Sequence, residues 1–349
     1  MNAEIKKRTL KKQWLLLALF VAMIVLFLVN IVTGSIYIPL KSVVNILINS
    51  SSESEIWRNI IIKSRLPQAI TAMFAGAALA ISGLQMQTLF RNPLAGPSVL
   101  GISAGSSLGV AFVILLFSGV VGTSLSSAGF IGSIGISLAA FLGAMTVLGI
   151  ITLVARNVTS NTVLLIIGIM VGYAGSSIVG ILKFYSDQSD LKTFVIWGLG
   201  SFANVTLSQM WLFAGTISIG LLASFLFIKP MNIYLLGERY AQNLGLNLKR
   251  TKTGLLIISG FLTAIVTAYT GPIAFIGLAV PHLVRHLFLS SDNKILVPGV
   301  IISGAVIALF CNFIARLPGF DSALPINTIT SIIGAPVIIW VILKQRRQL

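Results

Sequence analysis

Long apolar segments recur along almost the whole chain, and they constrain its fold more than any other feature. About ten segments approach the roughly 20 residues that a helix needs to cross a bilayer. They lie at 14–33, 66–89, 98–118, 129–154, 162–184, 207–228, 253–270, 273–289, 296–315 and 327–344. Lipid offers no hydrogen-bond partners to an open strand edge, so these segments must be helical. The sequence predicts an all-α polytopic membrane protein with about ten transmembrane helices.

The composition supports a membrane setting. The chain is 56% hydrophobic and only 9% charged, whereas soluble domains carry about 25% charged residues. Such a chain cannot cover a globular surface with polar groups, so we expect lipid around most of it. The net charge of +16 does not indicate nucleic-acid binding, because the cations are scattered at the ends of apolar segments and form no basic stripe.

The distribution of Lys and Arg predicts the orientation. When the chain is threaded through ten spans, most of its 24 Lys and Arg residues share a side with the N-terminus. The positive-inside rule therefore predicts that both termini are cytoplasmic. The cations at 6–12 and the apolar run at 14–33 resemble a secretory signal at first, but the run is long and no clear cleavage site follows. We expect one transmembrane domain over 1–349, with its longest cytoplasmic loop at 230–252. That loop is expected to form a short helix, a turn at Gly237–Glu238 and a second short helix ending at Gly245.

The sequence offers little for catalysis. His282 and His286 lie four residues apart, a spacing that two metal ligands can have, but no cysteine or carboxylate is near them. We interpret them as helix-end histidines and predict no metal, cofactor or catalytic residue. No phosphate-binding GxxxxGK[ST] loop is present, and no acidic residue falls within a predicted span. An ion-coupled carrier usually needs such a group, so a partner is expected to supply the energy.

Small residues and prolines predict close helix packing and a tight turn. Gly76, Ala80 and Gly83 share one helix face, which lets a neighbouring helix approach closely. Pro93 and Pro97 disfavour continuation of the second span and favour the start of the third. The sequence therefore predicts a tight hairpin between these spans, on the cytoplasmic side.

Four stretches resemble signatures of one family, and they occur in the family's order. They are RLPQAITAMFAGAALAISGLQMQTLFRNPLAGPSVLGISAGSSLG, LLGERYAQNLGLN, GPIAFIGLAVPHLVRHL and LPINTITSIIGAPVIIWVILK. The family is that of the FecCD-type permeases of binding-protein-dependent ABC importers, which carry iron–siderophore, haem or vitamin B12. The resemblance extends over nearly the whole chain.

The resemblance implies a set of partners and a location. It implies a homo- or heterodimer of permease subunits, two cytoplasmic ATPase subunits, and an extracytoplasmic substrate-binding protein, all at a bacterial cytoplasmic membrane. Iron(III)–siderophore is the expected substrate, with haem and cobalamin as alternatives. An ion-coupled secondary carrier and a non-transporting scaffold are the competing hypotheses from other classes.

The resemblance also implies three groups of site residues. The cytoplasmic gate would comprise Asn92, Leu94, Ser160, Asn161 and Thr162. ATPase coupling would involve Leu236, Gly237, Glu238, Arg239 and Gly245. Docking of the binding protein would use Arg65 and Arg316.

Simpler interpretations stay open for two of these groups. The loop at 230–252 can instead be a solvated basic loop that only fixes topology, and exposed arginines are often merely solvated. Gln68 stands where the family often has a second basic residue, and Lys63 or Arg58 are the candidates to replace it.

Overall fold

The structure is a computed structural model that describes residues 2–34, 36, 38–48, 54–117, 129–158, 160–317 and 323–346. Over these ranges its regular secondary structure is entirely helical, with no strand, which confirms the all-α part of the predicted fold class. The helices are α1 Asn2–Val32, α2 Leu40–Leu47, α3 Glu55–Phe90, α4 Ile102–Ala111, α5 Gly129–Asn157, α6 Asn161–Phe184, α7 Gln188–Gly198, α8 Leu207–Leu226, α9 Ile228–Leu235, α10 Glu238–Asn243, α11 Leu248–Thr270, α12 Ile276–Phe288, α13 Asn293–Ala315 and α14 Ile326–Arg346.

Seven helices are long and apolar enough to cross a membrane, namely α1, α3, α5, α6, α8, α11 and α13. Three shorter apolar helices, at Ile102–Leu116, Ile276–Phe288 and Ile326–Trp340, coincide with the remaining predicted segments. The second predicted span begins earlier than expected, because α3 starts at Glu55 and passes through a π-helical turn at Ile60–Arg65. The chain is thus a multi-pass membrane protein.

Helix α3 forms the centre of the bundle. In its most apolar window 83% of the residues are buried, compared with 11% in α1 and 22% in α6. Its glycine face permits this burial, as predicted: a Cβ on Gly76 would lie 2.2 Å from the carbonyl oxygen of Gly304 in α13. A Cβ on Gly83 would overlap the backbone of Gly277 in α12. The small residues therefore bring backbones into direct contact.

Polar side chains join the helices inside the core. Asn312 of α13 donates to the Asn30 side chain of α1 at 2.8 Å and accepts from Gln68 of α3 at 3.1 Å. Gln85 of α3 donates to Ser224 of α8 at 2.9 Å. These bonds satisfy polar atoms that lipid could not, and they hold three neighbours of α3 in register.

Candidate functional site

Two predicted site residues and their neighbours meet where α3 ends and α6 begins. Asn161, the first residue of α6, places its side-chain amide nitrogen 2.9 Å from the Leu89 carbonyl of α3 and 2.8 Å from Oε1 of Glu238. The same nitrogen lies 2.9 Å from the Tyr234 hydroxyl. The structure therefore brings a predicted gate residue, Asn161, into contact with a predicted coupling residue, Glu238.

Tyr234 is the centre of this cluster, which we call the coupling network: Leu89, Arg91, Asn161, Tyr234 and Glu238. Tyr234 is 1% exposed and donates its hydroxyl proton to Oε1 of Glu238 at 2.6 Å. Burial, and then the hydrogen bond to Glu238, raises the pKa of Tyr234. The hydroxyl therefore stays protonated and remains a donor throughout the physiological pH range.

Arg91 ties the end of α3 to the same network. It closes α3 in a left-handed conformation with φ of 47°. Its guanidinium donates to the Tyr234 carbonyl at 3.0 Å and lies 5.8 Å from the centre of the Tyr234 ring. A cation above an aromatic face is a favourable arrangement. Movement of α9 would therefore displace the turn that follows α3.

That turn holds the other predicted gate residues. Oδ1 of Asn92 accepts the Leu94 N–H at 2.9 Å, and the Leu94 side chain is 47% exposed at the tip. His282 of α12 lies with Nε2 2.8 Å from the Pro93 carbonyl, so Nε2 carries the proton and donates. His282 is thus engaged in holding the turn, and His286 lies instead against the Trp340 ring.

The remaining predicted gate residues lie in the first turn of α6. Ser160 is its N-cap, and its hydroxyl accepts the Val163 N–H at 3.4 Å. Ser160 and Thr162 are both exposed. They therefore lie at the surface beside Asn161, whose nitrogen points inward to the coupling network.

The coupling residues form a two-helix knob, as the sequence predicts. Helices α9 and α10 are separated by Gly237, whose φ of 115° and ψ of 146° are accessible almost only to glycine. Gly245 follows α10 with φ of 83°. Leu236 and Arg239 are exposed. Three large side chains of the knob lie more than half in solvent, namely Leu236, Tyr240 and Leu244.

Arg65 and Arg316 lie at the other end of α3. Their guanidiniums converge on Gly34, where an added Cβ would lie 2.9 Å from Nη2 of Arg65 and 3.0 Å from Nη2 of Arg316. From Arg65 to Phe90 the helix rises about 37 Å, more than the roughly 30 Å of a hydrocarbon core. The arginine pair and the coupling network are therefore on opposite sides of the bundle.

The two arginines differ in what they can offer a partner. Arg65 is 1% exposed and donates to the carbonyls of Ile31, Val32 and Ile36. It therefore closes the C-terminal end of α1, contrary to the expectation of a surface cation. Arg316 is only half-buried. Among the described residues, Nε of Arg65 and Nη1 of Arg316 are buried atoms without a hydrogen-bond partner. Lys63 and Arg58 are both exposed.

Sequence reasoning missed Tyr234, Arg91 and His282 as members of this site. Tyr234 precedes Glu238 by four residues, about one helical turn, and Arg91 directly precedes Asn92. Both residues could therefore have been predicted from their positions beside predicted site residues. His282 could be assigned only from the structure. Among the described residues, no three His, Cys, Asp or Glu side chains are grouped to hold a metal ion.

Comparison with known proteins identifies the family. The sequence profile of the FecCD transport family matches residues 22–344. The chain belongs to the FecCD transport family. It is 35% identical over 301 residues to the vitamin B12 import system permease protein BtuC of Salmonella arizonae, covering 86% of each chain. It is 34% identical over 301 residues to the hemin transport system permease protein HmuU of Yersinia pestis, covering 86% of this chain and 87% of that one.

A solved structure has the same fold as this FecCD-family chain. It is described as an inward-facing conformation of a metal-chelate type ABC transporter, with a TM-score of 0.81 and 26% identity. The match covers 95% of this chain and 99% of the other. The chain is thus a permease of the ABC importer class. Vitamin B12 and hemin permeases match it almost equally well, so membership of the family does not determine the substrate.

Proposed function

We propose that the chain is the transmembrane subunit of an ATP-driven importer that carries an iron(III)–siderophore complex into the bacterial cytoplasm. The observation that carries this proposal is the coupling network, in which Asn161 of the gate and Glu238 of the knob share hydrogen bonds of 2.8 and 2.6 Å with each other and with Tyr234. Such a connection can pass a rigid-body movement from an ATPase to a gate.

The ATPase would dock on the knob of α9 and α10. In support, Leu236, Tyr240 and Leu244 present apolar surface there, as expected of a protein–protein contact. The knob lies on the side that we propose to be cytoplasmic, together with both termini and the gate. The short apolar helices α4, α12 and α14 would complete ten spans, and the single domain over 1–349 would use the loop at 230–252 for coupling.

A binding protein would dock on the opposite side, beside the arginine pair. Arg316 is the better candidate for a direct contact, because it is only half-buried, whereas Arg65 is 1% exposed. Arg65 would act indirectly by holding the end of α1. A second permease subunit would complete the pathway, as the relatives' class implies, and the membrane would be the bacterial cytoplasmic one.

The identity of the substrate is the more specific part of the proposal. Iron–siderophore, haem and cobalamin are all large metal chelates, and the similar solved structure is described as being of the metal-chelate type. Haem and cobalamin are the second candidates, because permeases for hemin and vitamin B12 are about equally similar to this chain.

Reconstitution tests both levels of the proposal. The permease, its ATPase and its binding protein would be placed in liposomes, and uptake of iron-labelled siderophore, haem and cobalamin would be measured with ATP or with a non-hydrolysable analogue. We expect uptake of the siderophore only with ATP. Uptake without the ATPase, driven by an ion gradient, would favour a secondary carrier and contradict the proposal. ATP-dependent uptake of haem or cobalamin alone would replace only the cargo.

A further inference from the structure

A second feature of the coupling-loop side is a cavity of about 520 Å³ between the end of α5, the knob and the start of α11. Three cations line it, Arg156, Lys249 and Lys252, and Glu238 is the one carboxylate among its described lining residues. The cavity therefore carries an excess of positive charge, and it accommodates more than a single water or ion.

The charges of this cavity are incompletely compensated. Oε1 of Glu238 already accepts hydrogen bonds from Asn161 and Tyr234. Lys252 is only 8% exposed, and its ammonium donates to the Val158 carbonyl at 3.2 Å. An ammonium has three hydrogens to donate, so Lys252 retains donors for a further partner. Burying a cation is costly unless an anion or several acceptors accompany it.

The cavity lies at the boundary of two membrane-spanning helices. Arg156 is in the last turn of the span Gly132–Asn157, and Lys249 and Lys252 are in the first turns of the span Leu248–Thr270. Apolar side chains on the same two helices point outward, with Leu153 62% exposed and Ile257 46% exposed. A cationic cavity is thus placed at headgroup depth beside a surface suited to acyl chains.

A separate apolar groove continues along the same pair of helices. It measures about 380 Å³ and is lined by side chains of α5, α8 and α11 that include Leu138, Phe141 and Phe261. At 1.5 Å per residue, Phe261 is about 14 Å along the helix axis from Lys252. A fatty acyl chain can cover that distance from a headgroup held at Lys252.

We propose that this cavity binds the phosphate of an anionic phospholipid from the leaflet on the coupling-loop side. Basic pockets between transmembrane helices are suited to such headgroups. Glu238 belongs both to the cavity wall and to the coupling network, so the lipid charge would act beside the residues that link knob and gate. Binding would hold the start of α11 to the end of α5 next to that network.

Native mass spectrometry of the detergent-purified permease tests this site. The probes are phosphatidylglycerol and phosphatidylcholine with identical acyl chains, and inorganic phosphate serves as the free-phosphate probe. We expect phosphatidylglycerol to be retained more strongly than phosphatidylcholine. Each of Arg156→Gln, Lys249→Gln and Lys252→Gln should weaken its binding about fivefold, the equivalent of the ~1 kcal/mol that a cation near an anionic headgroup contributes.

The matched control is Arg250→Gln, because Arg250 is exposed, adjoins Lys249 and is absent from the lining. It should leave lipid retention unchanged. Lys252 is buried, so the double variant Arg156→Gln/Lys249→Gln keeps its hydrogen bond and provides a test that is independent of folding.

Four results would overturn the proposal. They are unchanged phosphatidylglycerol retention in the double variant, equal loss in Arg250→Gln, equal binding of phosphatidylcholine, and displacement of the lipid by millimolar inorganic phosphate. If the double variant loses ATPase binding but retains phosphatidylglycerol, the cavity is a protein contact and the lipid assignment fails.

Discussion

Gly237 sets the geometry of the coupling network at the scale of a single residue. Its backbone conformation lets α10 begin directly after α9, and this places Glu238 one turn from Tyr234. The carboxylate then accepts from Tyr234 at 2.6 Å and from Asn161 at 2.8 Å. A side chain at position 237 would have to adopt φ near 115°, which residues with a Cβ rarely do.

We expect Gly237→Ala to cost about 1–3 kcal/mol locally and to reduce ATP-dependent uptake more than membrane insertion. Gly245→Ala is the matched comparison: its φ of 83° is closer to the left-handed region, and an added Cβ there meets nothing within 4 Å. ATPase-driven uptake and surface expression of the two variants should be measured together. Wild-type transport by Gly237→Ala would show that the Gly237 conformation is unimportant for coupling.

Tyr234 gives the network a defined pH dependence. The unfolded chain loses the tyrosine proton above about pH 10, whereas burial and the Glu238 bond keep it on the folded protein to higher pH. The stabilisation is therefore fully present below about pH 10 and is lost as pH rises beyond it. Tyr234→Phe should cost about 1–3 kcal/mol at neutral pH, because it leaves Glu238 and Asn161 without the hydroxyl.

Thermal unfolding in detergent between about pH 8 and 11 checks this prediction. The wild-type midpoint should fall at the alkaline end of that range, and the fall should be smaller in Tyr234→Phe. An equal fall of the unfolding midpoint with pH in both proteins would contradict the prediction and assign the pH dependence to other groups.

At the scale of helices, α3 is held by backbone contacts that only small residues allow. Gly76 and Gly304 face each other, and an added Cβ on either would lie less than 2.5 Å from the other's carbonyl oxygen. Such contact buries α3 on nearly every side, so the arginine pair and the coupling network are joined by one rigid element. The position of both ends of α3 therefore depends on the glycine face.

Gly76→Leu should destabilise the bundle by more than the roughly 1–3 kcal/mol typical of core overpacking, because the obstructing atoms are backbone and cannot rotate away. Gly215→Leu in α8 should be nearly neutral, since nothing lies within 4 Å of an added Cβ there. Fluorescence-detected size-exclusion chromatography after heating compares the two. A Gly76→Leu protein as heat-resistant as Gly215→Leu would mean that α3 can move away from α13.

At the scale of the whole molecule, charge is arranged differently at the two ends of α3. The Arg65 guanidinium is buried and donates to carbonyls at the end of α1, whereas Arg316 is only half-buried. A charge-reversing substitution of Arg65 would therefore disturb the fold, and its effect on docking could not be separated from that disturbance. Arg316 is the residue at which docking can be tested.

Arg316→Glu should weaken association with the binding protein, and the effect should be larger at low salt, where the Debye length exceeds about 10 Å. Arg316→Gln should have an intermediate effect, because it removes the charge without reversing it. Surface plasmon resonance on nanodisc-embedded permease, at two ionic strengths, measures this. Equal affinities for all three proteins at low salt would exclude Arg316 from the interface.

The sequence by itself determined the helical membrane fold, the two-helix knob and the close-packed glycine face. These depend on local properties: an apolar segment in lipid must be helical, a positive φ selects glycine, and small residues on one helix face admit a neighbour. The family could also be recognised from four motifs, each of which is an uninterrupted stretch of sequence. The start of α3 was misjudged because residues 55–65 mix apolar with charged side chains and so do not extend the hydropathy signal of the span.

Only the tertiary structure decided which side chains meet. Asn161 and Glu238 are 77 residues apart in sequence, and Arg65 reaches a carbonyl 34 residues away. Hydrogen bonds between separate helices depend on how those helices pack, and no local pattern encodes them. For this reason Arg65 looked like a surface cation and is a buried helix cap. Tyr234 looked unremarkable, and it joins the predicted gate residue Asn161 to the predicted coupling residue Glu238.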